Sequence, residues 1–165
     1  MKDIREFKTD IFSLFDKGWA LLTAGTKEHF NNMTVSWGAL GTLWGVPAAT
    51  VYVKPIRYTH EFLDASEYFT LSFFFGARHR DLMILGARSG RDVDKIALTS
   101  LTPVEVDHGM SFRESPMALV CRKMYRQDLD RTFMPASVVQ RFYEPDAPHT
   151  MYIGEIAGFV ENPAQ

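Results

Sequence analysis

The hydrophobic pattern is dominated by short apolar runs separated by polar turns. Trp19-Ala-Leu-Leu-Thr-Ala-Gly25 is almost continuously apolar. It predicts a buried strand, closed by Gly25 and the polar stretch that follows. From Met33 to Trp37 the pattern alternates, with Thr34 and Ser36 on one face and Met33, Val35 and Trp37 on the other, which is strand periodicity. Gly38, Gly41 and Gly45 then break the run. Ala49 to Val53 reads as a third strand, rich in β-branched residues and ended by Pro55. Tyr68 to Phe75 is a buried strand, Leu101 to Val106 and Ala118 to Tyr125 are two more, and Met151 to Val160 is the last.

Four segments read as helices. Tyr58 to Ser66 has Thr59 as a candidate cap, and Arg80 to Ala87 is broken off by Ser89-Gly90. Asp92 to Leu98 and Pro135 to Phe142 are short. Strands outnumber helices, and the strand–helix–strand alternation of a parallel sheet is absent. The expectation is a mainly β fold with inserted helices, an antiparallel barrel. No repeat or linker interrupts the chain, so residues 1–165 read as one domain.

Composition narrows the function classes. Twenty acidic and 18 basic residues give a formal net charge of −2, which argues against a nucleic-acid partner. No window approaches the roughly 20 apolar residues of a membrane span. Residues 1–15 mix charges with aromatics and carry no leader-like apolar core, so a reducing cytoplasm is the default expectation. Cys121 is the single cysteine, which excludes an intramolecular disulfide. Aromatics make up 13 %, enough for a thick core, a stacking platform for a planar ligand or a subunit interface.

Candidate chemistry is sparse. The histidines His29, His60, His79, His108 and His149 show no metal-ligand spacing, and no metal site is expected. Ser72 and Cys121 sit in apolar strand-like runs and read as core, without a nucleophile motif. Walker and GxGxxG loops are absent. Three clusters remain. Pro55-Ile-Arg57-Tyr58-Thr59 joins a strand end to a helix start. It offers a guanidinium fork, a hydroxyl and free helix N–H groups to a phosphate, or is an exposed arginine beside an ordinary cap. Ser89-Gly-Arg-Asp-Val-Asp-Lys95 offers Ser89 and Lys95 to an anion around a close-approach glycine, or is a solvated turn. Asn31-Asn-Met-Thr34-Val-Ser36-Trp37-Gly38 offers short donors and backbone groups to the edge of a flat heterocycle, or is a half-exposed strand.

In order, the chain reads N-x-M-T-x-S-W-G, Y-V-x-P-x-R-Y-T, F-T-L-S-F-F and S-G-R-D-x-D-K. Together these resemble the flavin reductase-like, FMN-binding split-barrel family, which includes the reductase components of two-component monooxygenases and the flavoredoxins. The likeness runs from about Trp19 to Ile156. It implies a Greek-key split β-barrel, a homodimer, FMN near the dimer interface, and NAD(P)H as hydride donor to the flavin. A monooxygenase or another protein would accept the electrons; the alternative is a non-enzymatic FMN electron carrier. Carried over by position, Thr34, Val35, Ser36, Trp37 and Gly38 line the flavin ring. Arg57, Tyr58 and Thr59 face the phosphate. Ser72 and Phe73 border the ring or ribityl chain, and Ser89 and Lys95 close on the phosphate. His149 lies where some relatives place a histidine beside the nicotinamide, although Gly154-Glu155-Ile156 departs from their Gly-Asp-His pattern.

Overall fold

In a computed structural model, residues 1–162 are described. The strands are β1 (Ala20–Gly25), β2 (Phe30–Val35), β3 (Gly38–Leu43), β4 (Val46–Val53), β5 (Tyr68–Phe73), β6 (Pro103–Val106), β7 (Gly109–Phe112), β8 (Met117–Asp128) and β9 (Thr150–Glu161). The helices are α1 (Ile11–Asp16), α2 (Tyr58–Ala65), α3 (His79–Ala87) and α4 (Ala136–Phe142). Seven strands form one antiparallel sheet in the order β2-β1-β5-β8-β9-β4-β3, and β6 pairs with β7 in a separate hairpin. The expectation of a mainly β, antiparallel fold with inserted helices is met.

The strand order explains the shape. β2 and β3 are the two outermost strands, yet only Ser36 and Trp37 separate them in sequence. Three Cα–Cα steps span at most about 11 Å. The sheet must therefore curl until one corner of each edge meets the other. The edges are not hydrogen-bonded to each other, so the curled sheet stays split.

Strand alternation separates two packing layers. Ala20, Leu22 and Ala24 of β1 join Phe69, Leu71 and Phe73 of β5 and Leu119 of β8 inside the curl, with Val51, Val53 and Tyr152 closing it from the other side. On the outer face, Leu21 packs with Phe74, Leu82, Leu85 and Phe112 beneath α3 and the β6–β7 hairpin. Because β1 is covered on both faces, its sequence is apolar but for Thr23 rather than alternating.

Several local expectations are corrected. The glycines at 38, 41 and 45 do not end a strand: β3 runs through the first two, and Gly45 (φ 79°) turns the β3–β4 hairpin beside Trp44 (φ 51°). Gly38 is required by packing, because a Cβ there would collide with the Phe15 ring. β2 starts earlier and ends at Val35, leaving Ser36 and Trp37 in the link. Asp92 to Leu98 forms only a 3-10 turn at Ile96–Leu98. Thr59 does not cap α2: Arg57 holds the cap position, without a side-chain cap bond. Helix α1 and strand β7 lie where no element is expected. Asp10 caps α1 by accepting from the Phe12 and Ser13 amides. Among the described residues no helix is long and apolar enough to cross a membrane.

Candidate functional site

Three adjoining cavities run past the corner where the sheet edges meet. The first, of about 530 Å³, lies between the start of α2 and the end of α3. Five cationic side chains line it: Lys54, Arg57, Arg88, Arg91 and Lys95. Its carboxylates are Asp92 and Asp146. Lys54 is paired with Asp146 at 2.7 Å and Arg91 with Glu61, so these two cations are already answered. Arg57, Arg88 and Lys95 have no carboxylate within salt-bridge range among the described residues. The Arg57 Nη1 donates to the Gly86 carbonyl at 3.0 Å.

Lys95 is the unusual member. It is 4 % exposed, and its ammonium donates to the carbonyls of Asn32 and, at 3.1 Å, Leu85. Burial, aided by the Arg57 charge, pushes its pKa down to about 8. A buried ammonium answered only by neutral carbonyls is costly, and an anion brought beside it would relieve that cost. Thr59 is buried in the same wall. Its Oγ1 accepts from Asn31 Nδ2 at 2.9 Å, leaving its own proton free for a ligand in the cavity. Gly90 lies so close to the Asn31 amide that a Cβ would strike Oδ1, so a larger residue here would have to displace the Asn31 side chain that reaches Thr59. Ser89 accepts from the Arg91 amide at 3.2 Å, and the Arg91 guanidinium stacks 4.7 Å above the Tyr58 ring.

The second cavity, of about 280 Å³, shares Met33, Lys54 and Arg57 with the first. Thr34, Val35, Ser36 and Trp37 form one side and His149 the other. Val35 turns its side chain into the core, so it offers the cavity backbone only. Thr34 donates its hydroxyl proton to the Leu82 carbonyl. Trp37 stands 5.0 Å from the His149 ring and 5.3 Å from Phe142. Burial first, then the charges of Lys54 and Arg57, push the His149 pKa down to about 4, so the ring is neutral at pH 7. The third cavity, of about 770 Å³, shares Ser36, Trp37 and Tyr52 with the second and is lined mainly by apolar groups of α1 and β3.

The residues singled out in the sequence thus divide. Thr34 to Gly38, Arg57 to Thr59, Ser89, Lys95 and His149 all lie along this groove. Ser72 and Phe73 do not: Ser72 is fully buried under the β6–β7 hairpin, 2.9 Å from the Ser111 hydroxyl, and Phe73 lies in the inner core against Phe15. Sequence reading missed Tyr52, Lys54, Arg88 and Tyr143. The first two had a legible signal, since alternation along β4 puts Val51 and Val53 in the core and Tyr52 and Lys54 on the groove side. No cluster of three or more potential metal ligands occurs among the described residues. Cys121 is buried, its thiol pushed up by desolvation.

The family model described as "Flavin reductase like domain" matches residues 12–165, and the chain belongs to that family. Solved structures share the fold at low identity. An FMN-binding protein from Thermus thermophilus, with bound p-hydroxybenzaldehyde, is 17 % identical over 97 % of this chain and 80 % of that one, TM-score 0.68. The flavoredoxin of Desulfovibrio vulgaris (Miyazaki F) is 21 % identical over 98 % and 76 %, TM-score 0.68. The NADH:FAD oxidoreductase of Streptomyces globisporus C-1027, in complex with NAD and FAD fragments, is 17 % identical over 90 % and 76 %, TM-score 0.66. No curated protein sequence matches significantly.

Proposed function

We propose that this chain binds FMN along the first two cavities and serves as an NAD(P)H-dependent flavin reductase. The observation that carries the reading is the cationic cavity: Lys95 is buried without a carboxylate partner, and Arg57 stands at the junction with the polar cavity. The residues present fit a flavin mononucleotide. Arg57, Lys95, the Thr59 hydroxyl and the uncapped first turn of α2 hold the phosphate, with Tyr58 and Ser89 shaping its walls. Thr34, Ser36 and Trp37, with the Val35 backbone, meet the ring edge, and Gly38 stands just beyond it in the apolar cavity. When bound, the flavin supplies the hydride-accepting centre; the protein positions two rings and sets the charge around them.

His149 gives the nicotinamide side a neutral, hydrogen-bonding edge rather than a cation. A neutral edge would not repel a nicotinamide ring, which becomes cationic on giving up hydride. A homodimer is supported by aromatic side chains left in water, with Phe133 88 % exposed and Trp44 68 %. A monooxygenase or another acceptor protein in the cytoplasm would take up the electrons.

The test separates phosphate from ring. Arg57→Ala should weaken FMN by about 1.5–3 kcal/mol, the size of one charge-assisted hydrogen bond, and leave riboflavin nearly unaffected. Fluorescence titration measures both. Equal losses would place Arg57 elsewhere, and absence of FMN binding to the native protein would end the reading. Steady-state NADH or NADPH oxidation with free FMN should proceed without a protein partner; a pure electron carrier would show almost none.

A further inference from the structure

The third cavity differs in kind from the other two. Phe12, Phe15, Leu40 and Trp37 line it, and among the described residues Asp16 is its only charged lining residue. A cavity of this composition favours a flat, uncharged molecule and disfavours an anion. It is not chemically blank, because Tyr143 stands in its wall. The Tyr143 hydroxyl lies 3.1 Å from Nδ1 of His149, which lines the polar cavity next door. A neutral imidazole has a single ring proton. With that proton on Nδ1, His149 donates to the tyrosine oxygen, and the Tyr143 O–H is released to donate to a ligand in the apolar cavity.

We propose that the apolar cavity is a second ligand site, for a neutral planar aromatic compound carrying a hydrogen-bond-accepting oxygen, with Tyr143 as the donor and His149 as the residue that orients it. The continuity of the walls places this ligand beside the polar cavity: Ser36, Trp37 and Tyr52 face both spaces. Trp37 therefore reports on occupancy of either. What the polar cavity holds is the subject of the FMN reading. The second site needs no flavin to form, so the two can fail separately.

The probes are 1-naphthaldehyde, naphthalene and 1-naphthoate, titrated into flavin-free protein and followed by tryptophan fluorescence. The aldehyde should bind about tenfold more tightly than naphthalene, the increment of one hydrogen bond. The carboxylate should bind more weakly than either. Tyr143→Phe should remove the tenfold preference and leave naphthalene affinity unchanged. His149→Phe should reduce the preference partway. The aldehyde-to-hydrocarbon ratio isolates the oxygen contact, so a mere packing defect would not move it. Naphthoate binding best would show that the probes enter the cationic groove instead and overturn the proposal. So would equal affinities for aldehyde and hydrocarbon. If neither neutral probe binds, the proposal fails; a dimer broken by Leu40→Arg would then name a second copy as the occupant.

Discussion

The two faces of the curled sheet are built by opposite rules. The inner face is filled by apolar side chains such as Leu22, Leu71 and Leu119, all fully buried. The outer face, beneath α3 and the β6–β7 hairpin, is just as inaccessible but mixes polar groups with its apolar cluster around Leu21 and Phe112. Thr23, Asn32, Thr70, Ser72 and Lys95 are buried there. Some of these are satisfied by neighbours, as Thr70 is by the Met110 carbonyl at 2.5 Å. Others are not: the Thr23 hydroxyl and the Asn32 amide are buried without a hydrogen-bond partner among the described residues. One face maximises packing. The other tolerates desolvated polar groups and adjoins the cationic cavity through Lys95. Stability and ligand chemistry are thus assigned to different sides of the same strands.

Substitutions on the two sides should separate these roles. The largest effect is expected inside: Leu71→Ala should cost about 2–5 kcal/mol in urea unfolding, from lost burial and an unfilled cavity. A cost below 1 kcal/mol would mean the inner face collapses freely. On the outer side, Lys95 gives a pH signature. Its folded pKa of about 8 lies below the usual 10.5, so the unfolded chain binds more protons between these values. Stability should therefore rise with pH across that window, by up to about 3 kcal/mol. Lys95→Met should flatten the rise, and saturating FMN should shrink it by returning a counter-charge to the ammonium. An unchanged slope in the variant would assign the titration to another group. The smallest effect is Thr23→Val, which replaces an unpartnered buried hydroxyl by a methyl of the same shape. It should raise stability by about 1 kcal/mol; a loss instead would reveal a water bridging Thr23 and Asn32.

The inner face was the more legible in the sequence. The run Trp19–Gly25 and the run Tyr68–Phe75 both announce buried strands, and both are strands within two residues. Strand β3 was obscured because its glycines read as breaks. Their reasons are tertiary: Gly38 makes room for Phe15, which arrives from α1, and Gly41 faces open space on an edge strand. The site was legible by position and less so by partner. Arg57, Thr59 and Lys95 could be placed at one anion by resemblance. That Lys95 is held by the carbonyls of Asn32 and Leu85 depends on contacts with residues 63 and 10 positions away, which no local pattern carries. The placement of Ser72 and Phe73 has the same origin. Alternation shows that they face opposite ways, but not that a hairpin covers one and the core encloses the other.

The two-residue link at Ser36–Trp37 has a kinetic consequence. Hairpin β1–β2 docks on β5, whereas hairpin β3–β4 docks on β9, about a hundred residues further along the chain. The two hairpins are thus locked into one sheet around the corner only after strands about a hundred residues apart have paired, and such non-local pairings are slow. The groove at that corner cannot exist in a half-assembled chain. A molecule that binds it stabilises the finished fold alone, in proportion to the logarithm of its concentration over its dissociation constant, so ligand uptake during refolding would act as a clock that starts only when the last strand has joined.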